Sequence, residues 1–281
     1  MATTWYLNAS TGSDTTGDGS SGNPWLTVGK AHAEAADGDT VILQDSVATY
    51  TFADFAFTKG LTLQGQQDDA SGAVLDGASA ARMWQFTQPF VYIIKNITSQ
   101  NILGADPYAF YLGTANTEIN FSFINCVFDN VAGYNAATYG MIGAHAIGVY
   151  GSFAFTNCLV KNQPHQGNVF RLHESGGVLS ATMTGCTINY KLGGYAPTSV
   201  IWRYPTPLVA KNNIVSNYTG STIYWQTDYS VTTATYCDFY NITSSPSGTG
   251  VITSDPLFID GPNDDYRLRP TSPCIDTGVL V

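Results

Sequence analysis

The sequence predicts an all-β fold: a right-handed parallel β-helix solenoid, closed by a short N-terminal capping helix and a C-terminal cap. Three observations predict it. The chain repeats itself at a coil-sized interval, it is unusually poor in charge, and each end carries a segment unlike the middle.

The repeat comes first. Seven segments share one shape, an alternating stretch usually closed by Asn or Gly: LTLQG to Gly65, YIIKN to Asn96, FSFIN to Asn125, FAFTN to Asn157, ATMTG to Gly185, LVAKN to Asn212 and, with Tyr instead, TTATY to Tyr236. Their closing residues lie 24–32 residues apart. A unit of that size cannot bury a core alone, but it supplies three short strands separated by bends. Stacking such coils about 4.8 Å apart pairs each strand with its copies above and below and sets equivalent side chains in register. Asn at a bend tolerates the left-handed conformation, and its amide can bond the next Asn in the stack. A second Asn recurs five positions on, at Asn101, Asn130, Asn162, Asn217 and Asn241. The residue after the bend is often Cys, small and apolar enough to stack inward. Cys126, Cys158 and Cys186 are therefore read as an interior ladder of free thiols. The five Cys include no CxxC, which excludes the usual zinc spacing. The Asn-x-Ser/Thr triplets at Asn8, Asn96, Asn120, Asn217 and Asn241 follow from turn Asn beside Thr- and Ser-rich strands.

Charge is the second observation. Asp, Glu, Lys and Arg make up 11% of the 281 residues, less than half the usual share of about 25%. Exposed helices are covered with such residues, so their scarcity speaks for strands and turns, as do 28 Gly and 17 Tyr. The net charge is −10 with no basic run, which excludes a nucleic-acid surface. No apolar run reaches the roughly 20 residues of a membrane span. The start, Met1-Ala2-Thr3-Thr4-Trp5, has no basic or apolar region of a secretory signal peptide. Either a leader has been removed, or the protein leaves its cell another way, for example inside a virion.

The ends are the third. An open solenoid exposes its core at both ends and needs covers. Thr27 is placed to N-cap a helix over 28–36, with Val28, Ala31 and Ala35 on one face. Gly38 to Leu43 then reads as the first strand. The whole chain, 1–281, is one domain: entry and cap over 1–43, stacked coils over 44–254, and C-terminal cap over 255–281.

Here the sequence resembles a known family. Tyr6-Leu7-Asn8, Gly12-Ser13-Asp14, Gly17-Asp18-Gly19, Asn23-Pro24-Trp25-Leu26-Thr27 and Gly38-Asp39-Thr40-Val41 are similar to the N-terminal entry of pectate-lyase-like right-handed β-helix proteins. Asp255-Pro256-Leu257-Phe258, Asp265-Tyr266-Arg267-Leu268 and Ser272-Pro273-Cys274-Ile275-Asp276-Thr277-Gly278 resemble the terminal cap of that superfamily, which usually has Ala at the place of Cys274. The resemblance implies the fold and gives Asp39 and Asp276 structural roles. The superfamily spans polysaccharide lyases, hydrolases, epimerases, adhesins and phage tailspikes, so it leaves function open.

Enzymes that look like this usually work in a shallow groove midway along one face. The middle coils carry a matching cluster. His165, Arg171, His173 and Glu174 are followed by Lys191, by Trp202-Arg203-Tyr204, and by Tyr224-Trp225. In a strand, Arg171 and His173 occupy alternate positions, with Arg203 and Trp225 expected at comparable places on the following coils. Aromatic rings stack on pyranose faces, while Arg and His bond hydroxyls or uronate carboxylates. Arg171, His173, Trp202, Arg203, Tyr204, Tyr224 and Trp225 thus form the candidate glycan- or partner-binding set. For a lyase, Arg171, His173, Lys191 and Arg203 are the catalytic candidates, a base for the α-proton and a cation for the enolate. Acidic residues in the central coils are sparse and unpaired, which disfavours two-carboxylate hydrolysis.

No cofactor or metal is expected. Calcium is the one cation with oxygen donors on offer, at Asp14 and Asp18, Asp68-Asp69 and Asp264-Asp265, where solvated turns and caps are the plainer reading. His32 and His145 have no partner at ligand spacing. The expectation is a non-enzymatic extracellular or phage virion-surface protein, a decoration, fibre or receptor- or glycan-binding element. The alternative is a polysaccharide lyase or depolymerase acting on an acidic glycan. Partners are then a glycan or other virion or surface proteins, with a homotrimer as the assembly that similar spike proteins suggest.

Overall fold

The computed structural model describes residues 2–46, 48–51, 55–77, 84–86, 88–103, 108–112, 118–132, 140–144, 150–162, 168–173, 179–190, 199–204, 208–217 and 232–278. Within them the chain is a parallel β-helix. Its strands fall into three parallel sheets that recur in rotation along the chain, of nine, eight and six strands, and a two-stranded antiparallel pair closes the C-terminus.

The nine-stranded sheet begins with Thr4–Leu7 and Thr40–Leu43 and runs through Val91–Lys95, Glu118–Ile124 and Tyr150–Thr156 to Thr232–Thr235. The entry segment is thus itself the first strand: Thr4–Leu7 pairs in parallel with Thr40–Leu43, residue for residue. It precedes the strand expected to be first because Asp39 ties it down. That buried carboxylate accepts from Thr3 N (2.7 Å), Trp5 Nε1 (2.9 Å) and Ala36 N (2.9 Å).

The capping helix is Val28–Glu34, shorter than the sequence pattern. Thr27 caps it, accepting from Lys30 N at 3.1 Å. The chain turns extended at Ala35, and Ala36 N–H is taken by Asp39 instead of continuing the helix. Val28, Ala31 and Ala35 are buried on the first coils as their spacing requires.

The bends carry the predicted chemistry. Asn96, Asn125, Asn157 and Asn212 have φ between 52° and 59°, and Gly185 and Tyr236 take the same conformation at the equivalent bends. The second set, Asn101, Asn130, Asn162 and Asn241, is also left-handed; Asn217 instead ends a strand. Asn125 Nδ2 donates to Asn96 Oδ1 (3.1 Å) and Asn130 Nδ2 to Asn101 Oδ1 (3.0 Å), so each bend ties one coil to the next.

Inside, equivalent residues stack. One register column of the nine-stranded sheet runs Leu63, Ile94, Phe123, Phe155, Met183, Ala210 and Ala234. Phe123 and Phe155 lie nearly parallel, with centroids 5.5 Å apart. Cys126, Cys158, Cys186 and Cys237 are buried and free, and stack behind the bend as the ladder requires. Burial pushes the Cys158 and Cys186 thiols well above the ordinary cysteine range, so they stay protonated and inert. Asn213 holds the ladder place between Cys186 and Cys237. It remains satisfied by accepting from Cys186 N (2.9 Å) and donating to Met183 O (2.8 Å).

The C-terminal cap is Phe258–Asp260 paired antiparallel with Asp265–Leu268 around a short 3-10 turn, Gly261–Asn263. It folds back on the eight-stranded sheet. Lys161 Nζ lies 3.0 Å from both Asp129 and Asp264, and Asn162 Nδ2 donates to Asp264 at 3.1 Å. Burial opposes the charge on Lys161, but its two carboxylate partners outweigh it and hold the pKa above the lysine norm.

Candidate functional site

The predicted site residues Arg171, His173, Trp202, Arg203 and Tyr204 fall on the six-stranded sheet, which runs from Phe55–Phe57 through Trp84–Phe86, Tyr108–Leu112, Gly140–Ala144 and Asn168–His173 to Ser199–Tyr204. Its register separates two kinds of column. Trp84, Phe110 and Ile142 align and are fully buried. The neighbouring column runs Ala56, Gln85, Tyr111, Gly143, Arg171 and Trp202. Of its described members, Ala56 is exposed, Gln85 and Tyr111 are half-buried and Gly143 is buried.

Arg171 and His173 lie at alternate positions of one strand, as expected. Their partners on the next coil are Trp202 and Tyr204. Arg203 is the correction: it pairs with Leu172, one position off the Arg171 column. A slip of one residue exchanges the faces of a strand, and periodicity alone could not exclude that slip here. The backbone register therefore aligns Arg171 with Trp202 and His173 with Tyr204. Lys191, Tyr224 and Trp225 lie outside the described residues, as do His165, Glu174 and His145.

Of the acidic groups considered for calcium, Asp14, Asp18, Asp69, Asp264 and Asp265 have partners within the chain. Asp14 accepts from Leu26 N, Thr27 N and Thr27 Oγ1 at 2.6–3.0 Å, and Asp18 from Ser20 N at 2.9 Å. Asp69 accepts from Ser71 N at 2.8 Å. Asp264 meets Lys161, and Arg267 holds the Asp265 carboxyl down to about 2. No three His, Cys, Asp or Glu side chains converge as metal ligands among the described residues. His32 Nε2 accepts from Thr58 N at 3.1 Å between Phe55 and Phe57; burial, then the charge of Lys59, lowers its pKa.

Two features at the C-terminal end escape a sequence reading. A cleft of about 480 Å³ opens between the cap and the eight-stranded sheet, lined among the described residues by Asn189, Asp255, Leu257, Phe258, Pro262 and Arg269. Beneath the cap, buried Asp238 accepts from Cys274 Sγ at 3.2 Å, while its other oxygen has no hydrogen-bond partner among the described residues. Burial raises its carboxyl to about 6; burial and that carboxyl raise the Cys274 thiol to about 12. Both features join segments far apart in sequence, and no local motif marks either.

No family model matches the chain, and no curated protein matches it. Solved structures do. Pectin methylesterase PemA from Erwinia chrysanthemi aligns at 12% identity and a TM-score of 0.49, over 87% of this chain and 80% of its own. A rhamnogalacturonan lyase aligns at 10% and 0.45, over 90% and 85%. A GH136 lacto-N-biosidase from Eubacterium ramulus aligns at 8% and 0.37, over 85% and 60%. The activities in those names belong to those proteins. What the pairing of this chain's own strands establishes is a parallel β-helix protein.

Proposed function

We propose that the chain is a non-catalytic glycan-binding β-helix of an extracellular or virion surface, and that the outer face of its six-stranded sheet holds the glycan. The observation that carries this reading is the register of Arg171 with Trp202 and of His173 with Tyr204. In this reading consecutive coils offer a ring-stacking residue beside a hydrogen-bonding one, about 4.8 Å apart. Half-buried Tyr111 extends the same column two coils before Arg171. Tyr224 and Trp225 belong to the proposal as its continuation on the following coil. A charge-poor solenoid bonded on both sides of every inner coil suits an exposed particle or cell surface.

The test is a panel of acidic and neutral polysaccharides offered to the intact chain. Binding is followed by calorimetry, and cleavage by reducing ends and the ultraviolet absorbance of unsaturated products. Saturable binding without product, weakened at least about tenfold, or about 1.4 kcal/mol, in Arg171→Ala and Trp202→Ala, is expected. Unsaturated product that vanishes in Arg171→Ala or Lys191→Ala would make the chain a lyase and refute the non-catalytic reading.

A further inference from the structure

The outer face of the nine-stranded sheet is unlike the rest of the surface. Its central outward column includes Thr62, Ile93, Ser122, Ala154, Thr182 and Val209, one from each successive coil. Every one is short, and none is charged. The adjacent outward column adds Ile124, Thr156 and Thr184, with Lys95 and Lys211 as its only charges and Glu118 at the strand edge. Of the large apolar residues most exposed in the described structure, three lie here: Val91 at 58%, Val209 at 46% and Tyr150 at 44%. Three hydroxyls on this face bond within their own sheet. Ser152 donates to Asn120 Oδ1 (2.7 Å), and Thr182 and Ser180 reach the carbonyls of Phe153 and Gly151 at 3.4 Å. Along the central column this leaves short side chains facing outward, with Lys95 and Lys211 in the adjacent column and Tyr150 and Glu118 at the strand edge as the longer ones.

The eight-stranded sheet makes an instructive contrast. At Lys161 and Asn162 its outer face meets this chain's own C-terminal segment, through Asp264. The nine-stranded face has an area that needs a partner rather than a loop. Eight steps of about 4.8 Å and strands of four to seven residues give roughly 38 Å by 13–23 Å, or about 500–900 Å². A stable interface takes about 800 Å² from each partner. Short side chains let two sheets approach to about 10 Å. Nearly uncharged, such a face meets no self-repulsion even in a chain of net charge −10.

We propose that this face is the contact between copies of this chain, packed sheet against sheet. The proposal is independent of the glycan reading, since the two faces belong to different sheets; in an assembly the six-stranded faces would be presented together.

Sedimentation of the full chain tests it, without any glycan. The wild type at about 100 µM, far above a Kd of about 1 µM, is expected to show a mass above the 30.1 kDa of one chain. Ala154→Arg, at the centre of the face, and Thr182→Glu, already exposed, are each expected to return it to 30.1 kDa with unchanged circular dichroism. Thr182→Glu decides alone if Ala154→Arg does not fold. A wild type that stays at one chain's mass, assembly that appears only with added glycan, or assembly that survives Thr182→Glu would each overturn the proposal.

Discussion

Asp238 makes the C-terminal end of this solenoid sensitive to pH in a way that can be worked out before it is measured. Its carboxyl is buried between the last coil and the cap. One oxygen accepts from the Cys274 thiol and the other has no described partner. Burial, with the nearby charge of Asp255 in the same sense, lifts its pKa from 3.8 to about 6. The folded state therefore holds the proton more tightly than the unfolded chain. Stability from this group is complete below pH 3.8 and is lost as pH rises through 6. Full linkage over that gap is about 3 kcal/mol, and solvent reaching the partly exposed Cys274 lowers the working figure to about 1–2 kcal/mol. Asp238→Asn keeps the shape and removes the titration. Urea unfolding of both proteins at pH 5 and pH 8 should show the wild type losing about 0.5–1 kcal/mol more than the variant across that interval, the rest of the linkage falling below pH 5. His32, whose pKa is lowered, gains stability with rising pH, but equally in both proteins, so the comparison cancels it. The loss should be local. The amides of Phe239 and Ile252, bonded to Ile252 O and Cys237 O, should exchange faster at pH 8 in the wild type alone. Parallel stability profiles for the two proteins would refute the reasoning.

Other regions yield sharper, simpler outcomes. Asp39→Ala strands three donors at the N-terminal end and should cost about 2–4 kcal/mol in urea unfolding, with the capping helix losing amide protection first. Phe123→Ala removes the centre of the aromatic stack and should cost about 3–5 kcal/mol by the same measure. In a thiol titration with an aromatic disulfide reagent, Cys126, Cys158, Cys186 and Cys237 should stay silent in the native protein. All five should react in denaturant, and Cys274 should react natively but slowly, faster in Asp238→Asn.

The fold is legible in the sequence wherever one residue type answers one backbone need. Asn at a left-handed bend, Cys behind it and Thr27 before the helix each meet a local steric or hydrogen-bonding demand, so the pattern survives without knowledge of neighbours. Legibility fails where a neighbour substitutes for the residue. Tyr236 takes the left-handed bend that Asn holds elsewhere because the last coils pack around it, with Gly250 leaving room against its ring. Asn213 stands among cysteines because Cys186 N and Met183 O satisfy it. Thr4–Leu7 is a strand because Asp39, 35 positions after Thr4, anchors its start.

The site is less legible for a related reason. Inward columns are checked by the core at every rung, so a misread there would bury polar groups. Outward columns meet no such check, and a misread passes unnoticed. Arg203 shows the consequence. Read one place away, it would sit beside Arg171 as a second cation; in the actual register Trp202 takes that place, and the pair becomes a cation beside an aromatic ring. Two cations side by side would suit clamping a carboxylate in a transition state, whereas a cation beside a ring suits holding a neutral or acidic sugar. The one-residue difference in backbone register is thus what leads us to propose binding rather than catalysis.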